Sequence, residues 1–87
     1  MALNFPNLSR SLDMARNCVC FWGYDGAFEV AFQVETGALR RIKSDVQEDE
    51  ISLLRVFDGN RVRIQKAASS AYSKRRLSHY RLSAADF

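Results

Sequence analysis

The chain is short of the residues from which most recognisable chemistry is built. It has one histidine, His79, and two cysteines, Cys18 and Cys20, so a zinc site of the usual four ligands cannot be assembled from these types alone. The two cysteines stand one residue apart on a strand-like run and point to one side, where disulfide geometry is hard to meet. Nothing local lowers a thiol pKa, and both are read as reduced and structural. No phosphate-cradling glycine loop, HExxH pattern or CxxC pair is present. Ser69, Ser70 and Ser73 have no neighbour that would activate a nucleophile. No apolar run approaches the roughly 20 residues of a membrane span, and the N-terminus has no basic region followed by an apolar one. The expectation is a cytoplasmic protein with no membrane attachment, metal, cofactor or catalytic residue.

What is present is the composition of a folded domain, with 47% hydrophobic and 26% charged residues. Eighty-seven residues predict one domain, 1–87, able to bury roughly two thirds of its unfolded surface. The net charge of +3 is unevenly placed. Up to Asp58 there are six Lys/Arg against nine Asp/Glu, a balance of −3; from Gly59 onward there are seven against one, a balance of +6. The second half is a basic module.

Two periodicities organise the chain. Asn17–Tyr24 and Ala27–Glu35 alternate around Asp25-Gly26, a preferred pair for a tight hairpin turn. With those two residues as the loop, Tyr24 faces Ala27, and one face carries Val19, Phe21, Phe28, Val30, Phe32 and Val34. From Glu48 to Arg76 the period changes to that of a helix, with Leu53, Phe57, Ile64, Ala68, Ala71 and Tyr72 on one side. Asp58-Gly59-Asn60 interrupts it, which predicts one kinked helix or two, with Asp58 available to cap the second. Asp45, Glu48, Asp49 and Glu50 sit where the first would begin, as the helix dipole favours. Thr36–Lys43 reads as a short helix capped by Thr36. Ser78–Ser83 reads as a strand with Tyr80 and Leu82 inward. The fold expected is α+β: an antiparallel sheet, built from the hairpin and a C-terminal strand, covered on one face by two or three helices.

The sheet's other face carries Cys18, Cys20, Trp22 and Tyr24 beside Ala27, Glu29, Ala31 and Gln33, more apolar than a solvated face should be. Two coverings are open: the N-terminal arm, through Phe5, Leu8 and Leu12, or a second subunit meeting Cys20, Trp22 and Tyr24.

Phe5-Pro6-Asn7, the run Val19-Cys20-Phe21-Trp22-Gly23, the spacing of Phe57, Asn60-Arg61, Ile64, Ala67-Ala68 and Tyr72, and the closing Tyr80-Arg81-Leu82 with Asp86-Phe87 together resemble the DUF1488 family of small bacterial proteins, a domain of unknown function. The resemblance spans nearly the whole chain. It implies a bacterial origin and a compact α+β fold, and carries no activity, substrate or cofactor. It assigns no role to Cys18-Val19-Cys20.

Arg61 lies within the apolar stripe and must reach the rim or meet a carboxylate. Glu29, Glu35 and Asp86 are its candidate partners; the functional alternative is an anion site shared with Arg81 or His79. Lys74, Arg75 and Arg76, followed by His79, Tyr80 and Arg81, set cations beside an aromatic ring, a combination that contacts phosphates and bases. The same cations also complement a helix C-terminus. The leading expectation is a non-catalytic module that binds another protein or itself. Its rival is a nucleic-acid-binding accessory protein using Arg61 to Arg81.

Overall fold

Both periodicities find their partners in the computed structural model, which describes residues 3–87. The strands are β1 (Ser11–Asp13), β2 (Cys18–Asp25), β3 (Phe28–Glu35) and β4 (His79–Leu82), and the helices α1 (Thr36–Ile42), α2 (Glu50–Gly59) and α3 (Arg61–Lys74). They form an α+β fold with the strands in spatial order β1-β2-β3-β4. β1 and β3 flank β2 antiparallel, whereas β4 joins β3 in parallel, so the sheet is mixed. A parallel neighbour needs a long crossover, and the three helices supply it.

The hairpin turns one residue later than the Asp25-Gly26 expectation. Asp25 stands opposite Phe28 and Trp22 opposite Ala31, leaving Gly26 and Ala27 as the loop. Gly26 has φ +61° and occupies the first central position, where a type II′ turn takes glycine. The partners on β3 slide by two, not one, so every side chain keeps its expected face.

Register then assembles the core. Phe21 faces Phe32 across β2 and β3, and Phe32 faces Tyr80 across β3 and β4. Their rings stack at 5.3 and 5.2 Å between centroids. Phe57 of α2 meets Phe21 at 5.2 Å, and Tyr72 of α3 meets Tyr80 edge-on at 6.3 Å. Each such pair adds about 0.5–1.5 kcal/mol beyond the area it buries. Val19, Val30, Val34, Leu39, Leu53, Ile64, Ala68 and Leu82 complete the buried cluster.

The N-terminal arm lies on this same side. Asn4 and Tyr24 exchange two backbone hydrogen bonds of 2.8 Å, which brings the Phe5 ring to 6.3 Å from Phe21 and 6.2 Å from Phe32. The arm passes over Gly23, where a Cβ would come within 2.8 Å of Phe5 Cε1. Leu12 also packs inward, while Leu8 stays exposed.

The start of α2 falls in the acidic cluster expected there, while the starts of α3 and α1 differ from expectation. Asp49 caps α2, its carboxylate accepting from Ser52 N at 2.9 Å. The break before α3 falls at Asn60, whose Nδ2 donates back to Val56 O at 2.8 Å. Asp58 is therefore not a cap; it sits in the last turn of α2 and holds two arginines. Thr36 is already helical, because β3 continues to Glu35 and the Thr36 N–H donates to Asn17 O at 2.9 Å.

Candidate functional site

Because α1, α2, α3 and the N-terminal arm all take one side, the other side of the sheet has no cover from the described residues. Alternation and register place on it Ser11 and Asp13 from β1, Cys18, Cys20, Trp22 and Tyr24 from β2, Glu29, Ala31, Gln33 and Glu35 from β3, and His79 and Arg81 from β4. Of the two coverings open on sequence grounds, the arm reaches this side at one corner, where Asn7 Nδ2 donates to Tyr24 OH at 3.5 Å, and pairs alongside β2 there rather than crossing the face. Phe5 and Leu12 sit in the opposite layer.

Polar groups on this face satisfy one another. Arg81 lies along one end, donating from Nε to Glu35 Oε2 at 2.7 Å, from Nη1 to Gln33 Oε1 at 3.1 Å and from Nη2 to Arg16 O at 2.8 Å. The Glu35 carboxylate raises the Arg81 pKa. Cys18 is fully buried among these groups. At the other end Tyr24 OH donates to Glu29 Oε2 at 2.8 Å, beside an open cleft of about 440 Å³ lined by Asn4, Pro6, Asn7, Tyr24 and Gly26. Trp22, Cys20 and Ala31 lie half-buried between the two ends. Burial, and then the neighbouring Cys18, push the Cys20 thiol pKa up, away from the thiolate that nucleophilic or redox work needs.

Arg61 is held elsewhere. Its Nη2 lies 2.9 Å from Asp58 Oδ1 and donates to Leu8 O at 2.8 Å, and its guanidinium rests 5.0 Å from the centre of the Phe57 ring. Asp58 also takes Arg10 in a two-point pair at 3.0 and 2.8 Å. Arg10 first, with Arg61 adding to it, keeps the Asp58 carboxyl below its ordinary pKa. Arg61 thus ties α3 to α2 and to the arm. The partner is neither Glu29, Glu35 nor Asp86, although the three-residue spacing from Asp58 was visible in the sequence. Arg61 and Arg81 lie on opposite sides of the sheet, so the anion site imagined between them does not assemble. His79 is exposed on the open face with no partner among the described residues.

Most of the remaining basic residues gather along α3 and just after it, with Arg41 on α1 and Arg55 on α2 standing apart. Among the described residues, ion pairs engage Arg10, Arg16, Arg40, Lys43, Arg61 and Arg81. Arg63, Lys66 and Lys74 of α3, with Arg75 and Arg76 after it, have no carboxylate within 4.0 Å. Arg76 lies 5.9 Å from the Tyr72 ring and Arg63 6.0 Å from that of Phe87. Phe28, expected in the core, opens β3 beside the turn and is 52% exposed. No group of three or more His, Cys, Asp or Glu placed to hold a metal occurs among the described residues. Among the described residues no helix is long and apolar enough to cross a membrane.

Comparison with known proteins bears on the fold. The family described as "Protein of unknown function (DUF1488)" matches residues 3–83. A crystal structure at 1.60 Å of a protein of unknown function from that family, from Shewanella loihica PV-4, superposes with a TM-score of 0.82 at 12% identity, covering 92% of this chain and 90% of the other. No curated protein matches.

Proposed function

This chain belongs to the DUF1488 family, and from that premise we propose that it is a non-catalytic bacterial cytoplasmic module that works by binding, through the open face of its sheet around Cys20, Trp22 and Tyr24. The observation that supports this most is that the helices and the arm spend their apolar residues on one side, leaving Trp22 and Tyr24 on the other. A raised thiol pKa at Cys20 and a lone exposed histidine fit a surface better than a reacting centre.

The occupant we propose is a second copy. Packed face to face about a two-fold axis parallel to the strands, β2 of one copy lies over β3 of the other. Trp22 and Ala31 are register partners and so stand at one level. Each indole would then meet a methyl group, a large-on-small fit. The same axis sets the Asp13 edge over the edge of Arg81 and His79. An axis across the strands would instead oppose β3 to β3 and bring Glu29 and Glu35 onto like charges.

Strands of 3, 8, 8 and 4 residues, at about 3.3 by 4.8 Å per residue, give a flat face of roughly 360 Å². That is under half of the roughly 800 Å² per partner in a standard stable interface. The dimer is accordingly weak and concentration-dependent. Sedimentation from micromolar to millimolar protein should show monomer passing to dimer, and Ala31→Arg should hold the monomer throughout. A wild type that stays monomeric over that range overturns the self-association.

A further inference from the structure

The outer face of α3 carries cations with no acid among them. Its fourteen residues include no carboxylate, and Arg63, Lys66, Ser70 and Lys74 fall within about 80° of one another around the helix axis. Arg63 to Lys74 spans about 16 Å along it. A basic stripe alone is commonly solvated surface. Here a second feature joins it. Phe28 stands opposite Asp25, so their side chains share a side of the sheet; Asp25 accepts from Tyr72 OH at 2.7 Å, and Arg76 lies against the Tyr72 ring. An exposed phenyl ring and the unpaired cations after α3 therefore occupy one end of the molecule. The chain there is fixed, since Tyr80 OH accepts from Leu77 N at 2.6 Å and donates to Arg75 O.

We infer that this face binds single-stranded nucleic acid, with Arg63, Lys66 and Lys74 along the phosphates, Arg75 and Arg76 at the exit and Phe28 beneath a base. Cations that track a backbone and an aromatic ring that takes a base are the two parts such sites combine. The site is separate from the open sheet face, and neither Arg61 nor Arg81 belongs to it. Every replaced side chain below is exposed, so the fold should survive, and melting curves check that it does.

The test is fluorescence anisotropy with labelled mixed-sequence RNA and DNA strands of about twelve nucleotides, between about 50 and 200 mM salt. Wild type should bind with a log–log salt slope of about −2 to −3.5, as three to five phosphate contacts on a single strand give. Arg63→Ala, Lys66→Ala and Lys74→Ala together should flatten that slope by about 2. Arg41→Ala with Arg55→Ala, which removes cations from α1 and α2, should leave it unchanged. Phe28→Ala should weaken binding about fivefold or more without altering the slope, and Phe28→Tyr should restore it. No binding at the lower salt, equal loss in the Arg41 and Arg55 control, indifference to Phe28→Ala, or equally tight binding of duplex would each overturn the site.

Discussion

The two faces of one sheet, made by alternate residues of the same strands, solve burial in opposite ways. On the helix side Phe21, Phe32 and Tyr80 form a row that Phe57, Tyr72 and Phe5 close from above. On the open side no element of the described residues lies above the strands, and long polar side chains lie down across the surface: Arg81 over Cys18 and Glu35, Tyr24 onto Glu29. The first face derives its stability from excluded water and ring packing. The second leaves Trp22 and Ala31 where another surface can reach them. The difference shows that a polar network can cover part of a sheet without adding a layer, and it is the part left uncovered that the proposed self-association would use.

The largest effect that would sharpen this contrast comes from truncating the covered side. Phe57→Ala should cost about 3–5 kcal/mol, read as a lowered urea midpoint at unchanged m-value. Trp22→Ala, on the open side, should cost about 1 kcal/mol or less while abolishing self-association. Equal losses would mean that the open face is as much a core as the other.

A smaller effect is expected where the arm crosses the sheet. Gly23→Ala sets a methyl against the Phe5 ring, and overpacking of this kind costs about 1–3 kcal/mol. Thermal melting should show it, and Phe5→Leu in the same chain should recover part of the loss. Unaltered melting of the single variant would mean that the arm yields freely.

The smallest effect concerns the ties at the rim of the helix layer. Asp58→Asn removes a carboxylate that holds both Arg10 and Arg61. It is partly exposed, so screening limits the cost to about 1 kcal/mol or less. Its sign with pH is fixed. A carboxyl whose folded pKa is depressed contributes stability that is whole above the ordinary value near 4 and lost as pH falls through the depressed one. The gap in melting temperature between wild type and Asp58→Asn should close in acid below that point; a gap constant down to the lowest pH at which the protein folds would show that the pair adds nothing ionic.

Much of the candidate surface was legible before the structure. Cys20, Trp22 and Tyr24 share a face because strand side chains alternate, and that parity survives a slide of two residues. The cations of α3 share a face by helical spacing. Phe28 was misread because parity gives the side of a sheet and not whether anything covers that position. The partner of Arg10 lies forty-eight residues away, at a distance where spacing carries no information.

Taken alone, the sequence determined which residues seek water and which avoid it, the two kinds of element, the break near Gly59 and the acidic start of α2, since each depends on neighbours within a few residues. Tertiary structure alone decided the direction of β4, the side on which the arm lies and the partner of Arg10. These follow from how layers close over one another, and the energy that selects them arises only when distant segments compete for one buried surface.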